Sequence, residues 1–285
     1  MADITAATVM KLRKMTGQGM MDCKKALQET NGDLDEAMTL LRKKGLATME
    51  KRSGRDTGEG RVVTRTDANT TILASLCCET DFVAKNDDFI ALSEKMLDYV
   101  AACDCENGQK LEDVELNGEK FSELITVLVS KTGEKTEVGD CAKFTVGDNS
   151  YVGTYIHFNN KVAGMVEIEC DSADTANSTE IKEIANGVCM HITAAKPEAL
   201  NKEDFDKEEL AKEEAIARDQ VKDKPANIID KIVEGKINKM LSERCLVNQK
   251  YVVNEDMTVE EAVNAAAKAA GGTASIKRFA RIEIA

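Results

Sequence analysis

An α+β fold assembled from several units is the architecture that the sequence predicts, and three observations predict it. Through the first fifty residues apolar side chains recur at the i, i+3, i+4, i+7 spacing of helices. Between Arg61 and Ala195 a strand hairpin followed by a helix occurs twice. From Leu200 to Val247 mixed charge surrounds two apolar stripes separated by a proline, the pattern of two paired helices. With 285 residues the chain can bury a sizeable core and is expected to hold more than one domain.

In order along the chain, Val9, Leu12 and Met15 share one helix face, Cys23, Ala26 and Leu27 the next, and Leu34, Ala37, Met38 and Leu41 a third. Gly17 and Gly19 break the first pair, and Asn31-Gly32-Asp33 turns the chain and leaves Asp33 as the expected N-cap of the third helix. This predicts a three-helix module of the ubiquitin-associated kind. Lys43 to Gly60, rich in charge and glycine, reads as a tether, so residues 1–56 form a helical domain with its linker.

Arg61 to Thr66 and Thr70 to Glu79 then flank the turn Asp67-Ala68-Asn69, with Ile72 to Cys78 reading as a buried strand. Asp87 to Cys103 carries the helical stripe Phe89, Leu92, Met96 and Tyr99. Residues 57–142 are read as the first core subdomain. Lys143 to Val146, the turn Gly147 to Ser150, Tyr151 to His157, Val162 to Cys170 and a helix from about Glu180 to Ala195 repeat that order, so residues 143–199 open a second, related subdomain. No residue-level repeat is visible. The segment 200–247 is predicted to be a protruding antiparallel helical hairpin, with Pro225 in the first turn of its second helix; the plain alternative is an ordinary helix pair packed on the core. Residues 248–285 close the second subdomain.

The net charge of -13 is uneven. Residues 1–56 hold eleven Lys and Arg against eight Asp and Glu, leaving -16 for the rest, so the body repels nucleic acid and no direct nucleic-acid partner is expected. Met1-Ala2-Asp3-Ile4 lacks the basic start of a secretion signal and no run approaches a membrane span, so the expected setting is the cytoplasm with no membrane partner. Nine cysteines include no Cys-x-x-Cys pair and are expected to be reduced, several of them as small buried hydrophobes. No Gly-x-x-x-x-Gly-Lys-[Ser/Thr] loop is present, so the chain is not expected to hold a nucleotide of its own. His157 and His191 are far apart and lack cysteines at ligand spacing, which argues against a metal site.

Glu79-Thr80-Asp81-Phe82-Val83-Ala84-Lys85-Asn86 concentrates the functional signal, because a buried strand stops there at an acid beside an aromatic, in a chain with seven phenylalanines and no tryptophan. Phe82 is either an apolar contact point with a charge beside it, or, with Val83, a cap on the local core, Asp81 then N-capping the helix that starts near Asn86.

The residues Leu12-Arg13-Lys14-Met15-Thr16-Gly17-Gln18-Gly19-Met20-Met21-Asp22-Cys23-Lys24-Lys25-Ala26-Leu27, followed by Thr80 to Asn86, resemble the two signature segments of bacterial elongation factor Ts. Val188-Cys189-Met190-His191-Ile192 leading to Lys196-Pro197-Glu198, and Ile232-Val233-Glu234-Gly235-Lys236, extend the resemblance over nearly the whole chain. It implies a guanine-nucleotide exchange factor without bond chemistry or cofactor, whose partner is elongation factor Tu, engaged through its GTPase domain and a further domain. Thr80, Asp81, Phe82 and Val83 would enter the GTPase domain between two helices near its Mg²⁺ site. Arg13, Met20 and Met21 would meet an outer helix, one methionine of the pair packing inward. Arg52, Gly133 and His157 would make further contacts. Departures from the family pattern are Ser75 and Cys77 where Glu and Asn are common, Thr132 where a larger apolar residue often stands, and an end at Ala285 where some members continue into a helix, so no contact by such a tail is expected.

Two other classes are weighed beside this one. A binding or chaperone module for ubiquitin-like or nascent chains would act through residues 1–56 and leave Phe82 dispensable. A thiol redox enzyme would use Cys103 and Cys105, although acids rather than bases surround them. The helical hairpin is also a candidate surface for homodimerisation.

Overall fold

The computed structural model describes residues 4–103, 110–222 and 225–285 and is mixed helix and sheet. The chain divides into two compact units, one of Met1–Arg65, Ile72–Lys143 and Ile282–Ala285, the other of Thr66–Thr71 and Phe144–Arg281.

The first unit opens with α1 (Ala6–Thr16), α2 (Met20–Glu29) and α3 (Leu34–Arg52). Gly17, left-handed at φ 69°, ends α1, and Asp33 caps α3 by accepting from the amides of Asp35 and Glu36. Val9, Leu12, Cys23, Ala26, Leu27, Ala37 and Leu41 form a small core, as their spacing predicts, but Met15 is 51% exposed and lies off that face. The predicted tether is largely helix, since α3 continues to Arg52 and only Ser53 to Gly58 is irregular. Its charges decorate a helix that is held by packing: Met49 lies against the next core, and Gly45 crosses the helix Phe121–Thr132 so closely that a Cβ would stand 2.8 Å from the Thr126 carbonyl oxygen.

Next come β1 (Glu59–Asp67), β2 (Thr70–Cys78), the short turn α4 (Asp81–Ala84), α5 (Asp87–Ala102), the two-residue strands β3 (Glu115–Leu116) and β4 (Glu119–Lys120), α6 (Phe121–Thr132) and β5 (Thr136–Thr145). The sheet order is β1-β2-β5, and the strand expected at Lys143 to Val146 is the end of a longer one, which begins at Thr136 and pairs with β2. Glu137, Gly139, Asp140 and Lys143 interrupt its apolar residues, so its local pattern is weak and its place depends on a long-range partner. The core of this part comprises Ile72, Leu76, Phe89, Met96, Tyr99, Phe121 and Val129 among others.

The second unit contains β6 (Ser150–Ile156), β7 (Val162–Cys170), the short turn α7 (Ala173–Ala176), α8 (Thr179–Ala195), α9 (Lys207–Asp219), α10 (Ala226–Arg244), β8 (Lys250–Tyr251), β9 (Asn254–Thr258), α11 (Val259–Ala269) and β10 (Ala274–Glu283). The sheet order is β10-β7-β6, with β6 and β7 antiparallel from Ser150↔Glu169 to Ile156↔Ala163. Val166, Ile168, Ile181, Val188 and Ile192 join α8 to the sheet. Helices α9 and α10 pair antiparallel around Ala217, Val233, Ile237 and Leu241, closed at one end by Arg244, which bonds Glu198 and Glu209 and stacks 4.7 Å from the Phe205 ring. No helix among the described residues is long and apolar enough to cross a membrane.

Candidate functional site

Strand β2 ends at Cys78, and the chain turns sharply through α4. Thr80 N-caps this single turn: its backbone is extended at φ -130°, ψ 154°, and its Oγ1 accepts from the Val83 amide at 3.4 Å. Val83 and Ala84 are buried in the sheet–helix core, while Phe82 between Asp81 and Val83 is 81% exposed. Of the pair expected to cap the local core, Val83 does so and Phe82 does not. Asn86, not Asp81, caps α5, accepting from the Asp88 amide.

Long-range bonds fix the turn. Thr80 donates through its backbone N–H to Glu134 Oε2 at 3.1 Å and through Oγ1 to Glu134 Oε1 at 2.8 Å. Reciprocally, the Lys135 N–H donates to Glu79 Oε1 at 2.6 Å. Arg52 Nη1 donates to both oxygens of Glu79 at 2.8 Å. Burial alone would push the Glu79 carboxyl up, but the Lys135 amide and the Arg52 guanidinium outweigh it and hold the group below the ordinary carboxylate range. Asp81 lies at the exposed end, its Oδ2 2.6 Å from Lys85 Nζ, and that hydrogen bond keeps its carboxyl below the ordinary value.

The residues expected to make contacts fall into three places. Arg52 and Gly133 lie at the turn: Arg52 bonds Glu79, and Gly133, left-handed at φ 72°, ends α6 directly before Glu134, whose carboxylate takes the donors of Thr80. Arg13, Met20 and Met21 lie on α1 and α2, beside a shallow depression of about 760 Å³ lined by Ala7, Met10, Lys11, Arg13, Lys14, Gly17 and Met20. Met20 and Met21 are 40% and 63% exposed, so neither packs inward as expected. His157 belongs to the second unit, at the tip between β6 and β7, where the Tyr155 hydroxyl lies 3.3 Å from Nδ1 and the Phe158 ring 4.4 Å away. Phe158 is 87% exposed.

Glu79, Glu134 and Lys135 carry the turn; the sequence marks only Glu79, as the first residue of the stretch, and gives it no role. The available signal was a glycine ending a helix with an acid directly after it, Gly133-Glu134, but its target lies 54 residues away.

Among the described residues the adjacent Cys77 and Cys78 lack the character of reactive thiols. Burial pushes Cys77 up to about 11 and Cys78 up to about 12. Cys103 is disulfide-bonded, a correction to the expectation of thiols throughout; composition says nothing of which sulfurs a fold brings within bonding reach. Cys105 lies outside the described residues. Among the described residues no group of three or more His, Cys, Asp or Glu is arranged to hold a metal ion. His191 is fully buried, Nε2 donating to Gln249 Oε1 at 2.8 Å and Nδ1 accepting from the Val252 amide.

A family model described as elongation factor TS matches residues 79–285, from the root of this turn to the last residue. The chain belongs to the elongation factor Ts family. It is 40% identical over 289 residues to the elongation factor Ts of Nautilia profundicola, covering 100% of this chain and 94% of that one. With the elongation factor Ts of Desulfovibrio desulfuricans it shares 39% identity over 290 residues, covering 100% and 99%. With that of Clostridium botulinum the identity is 39% over 285 residues, covering 98% and 92%. As a member of the elongation factor Ts family the chain is a translation elongation factor of the nucleotide-exchange kind, and its α+β architecture agrees with that membership.

Proposed function

We propose that the chain binds GDP-loaded elongation factor Tu, disturbs the site that holds Mg²⁺ and phosphate, and so speeds release of GDP and entry of GTP. The observation that carries this reading is Phe82, 81% exposed on a turn whose neighbours are buried or hydrogen-bonded into the unit. An exposed apolar side chain on a rigid mount can wedge between elements of a partner without first losing its own conformational freedom. Asp81 beside it offers a carboxylate to the loops that organise the metal. Removing Mg²⁺ takes away the main charge neutralising the diphosphate.

The energetics follow from linkage. A factor that binds the GTPase more tightly when nucleotide and metal are absent must weaken their hold by the same factor. A thousandfold acceleration of release requires about 4 kcal/mol of that coupling to appear in the barrier. Arg13, Met20 and Met21, exposed on α1 and α2, supply adaptable anchoring contact, and His157 with Phe158 supplies another. Arg52 and Gly133 act through the turn they support, and Val83 seats it in the core.

The test is release of a fluorescent GDP from elongation factor Tu of the same organism, followed after mixing with excess unlabelled GDP. Acceleration that saturates with increasing concentration of the chain is expected; a release rate indifferent to the chain would overturn the reading.

A further inference from the structure

We propose that Glu134 is a positioning residue for exchange: its carboxylate holds Thr80, and through Thr80 it sets the direction in which Phe82 is presented. The inference rests on the reading of function given above and adds to it the group that aims the contact.

A side chain 81% exposed has few contacts of its own to fix it, so the direction of Phe82 comes from the backbone of α4. That helix is a single turn of four residues, too short to hold its shape by its own hydrogen bonds. Its geometry must therefore be imposed at the ends. At the C-terminal end Val83 and Ala84 are sunk in the core. At the N-terminal end Thr80 gives both of its donors, N–H and Oγ1–H, to the carboxylate of Glu134, at 3.1 and 2.8 Å. With the hydroxyl proton committed to Glu134, a lone pair of Oγ1 is left facing the Val83 amide, which is the cap bond that starts the turn.

The carboxylate is itself well mounted. Glu134 follows the left-handed Gly133 at the end of α6, a helix seated by Phe121, Ile125, Leu128 and Val129. The next residue, Lys135, returns a bond from its amide to Glu79, the residue before Thr80. Residues 79–80 and 134–135 thus clamp each other reciprocally, each pair contributing one carboxylate and one backbone N–H. Charge-assisted bonds of this kind are the strong ones, so loss of one loosens the turn while the core beneath it stays packed.

The test uses the full-length chain with Glu134→Gln, Thr80→Val and Thr80→Ser in the fluorescent GDP assay. Glu134→Gln and Thr80→Val are expected to lower the maximal release rate about tenfold, with little change in the concentration giving half the maximal rate, because the anchoring faces are untouched. Thr80→Ser, which keeps the hydroxyl, retains most of the rate. In a Phe82→Ala background Glu134→Gln should cost nothing further, an outcome a merely structural role would not give. Phe82→Trp places the single tryptophan of the chain at the turn, and adding Glu134→Gln should lower its fluorescence anisotropy. Equal losses with and without Phe82, or an unchanged rate and anisotropy in Glu134→Gln, would overturn the proposal. Wild-type chain without effect on GDP release would instead overturn the functional reading, and the anisotropy comparison would still decide whether Glu134 holds the turn.

Discussion

The two strand–turn–helix segments of this chain, β2–α4–α5 and β7–α7–α8, are built to one plan and differ at the residue that matters. Thr80 and Ser172 cap their short turns by accepting from the amide three residues on. Asn86 and Ser178, each six residues later, cap the long helices. Val83 and Ala84 are buried in one, Thr175 and Ala176 in the other. Between cap and buried pair the exposed residue is Phe82 in the first and Asp174 in the second. Before each cap an acid accepts a remote amide, Glu79 from Lys135 and Asp171 from Thr273. The first turn is also held by Glu134 through two donors of Thr80, whereas in the second the Ser172 hydroxyl lies 2.9 Å from Thr175 Oγ1 within the turn itself. A strand-to-helix connection needs only the caps and the buried pair. The aromatic and the second carboxylate, Glu134 on both donors of the cap, are additions, and additions to a structural plan are where function is to be sought.

Exchanging the distinguishing residues breaks the comparison most severely. Phe82→Asp, which gives the first turn the side chain of the second, should reduce accelerated GDP release by more than a hundredfold, because a charge replaces the apolar wedge. Asp174→Phe in that background should restore none of it, since that turn lacks the carboxylate that takes both donors of its cap residue; recovery in the release assay would show that any exposed aromatic suffices.

Stability measurements sharpen it next. Arg52→Met leaves the largely buried Glu79 without its cation and should cost about 2 kcal/mol in denaturant unfolding. The Glu79 carboxyl is depressed in the folded chain, so its contribution is present above the unfolded value of about 4.3 and is lost as pH falls through the folded value. Glu79→Gln should remove that part of the acid dependence. A wild-type acid limb that Glu79→Gln leaves unaltered would count against the clamp.

How much of this the sequence discloses depends on whether the evidence is local. The buried strand β2, the stripe of α5 and the capped helices of the N-terminal module are written in spacing a few residues long, and the sequence reading finds them. The family signature at Thr80 to Asn86 marks the turn, and resemblance points to Phe82. What escapes is long-range: the polar first part of β5, from Thr136 to the expected start at Lys143, is strand because β2 lies beside it, and Glu134 matters because of a residue 54 positions earlier. The charged end of α3 misleads in the opposite direction, as its residues favour solvent and helix alike, and only the crossing at Gly45 decides between them.

That crossing gives a further prediction. Gly45→Val would drive its side chain into the Thr126 carbonyl and Ser130, and should destabilise the packing of α3 on α6 by about 1 to 3 kcal/mol, read as earlier unfolding of the three-helix module in hydrogen exchange. Uniform protection across that module in the variant would contradict it.

The smallest effect belongs to His191. Burial holds its pKa below the ordinary value, so as pH falls past about 6.5 the unfolded chain takes a proton that the folded chain refuses. Stability should then decline by at most about 1.4 kcal/mol per pH unit until the folded value is reached. Denaturation midpoints that stay level between pH 7 and 5.5 would mean that another group compensates.

The central claim is that Phe82, held on its clamped turn, drives nucleotide release. Its most direct test compares wild-type chain and Phe82→Ala, at saturating concentration and with matched folding by circular dichroism, in single-turnover release of fluorescent GDP from elongation factor Tu. A maximal rate at least tenfold lower in the variant is the expected result; equal maximal rates would contradict the account and move the release step to other contacts.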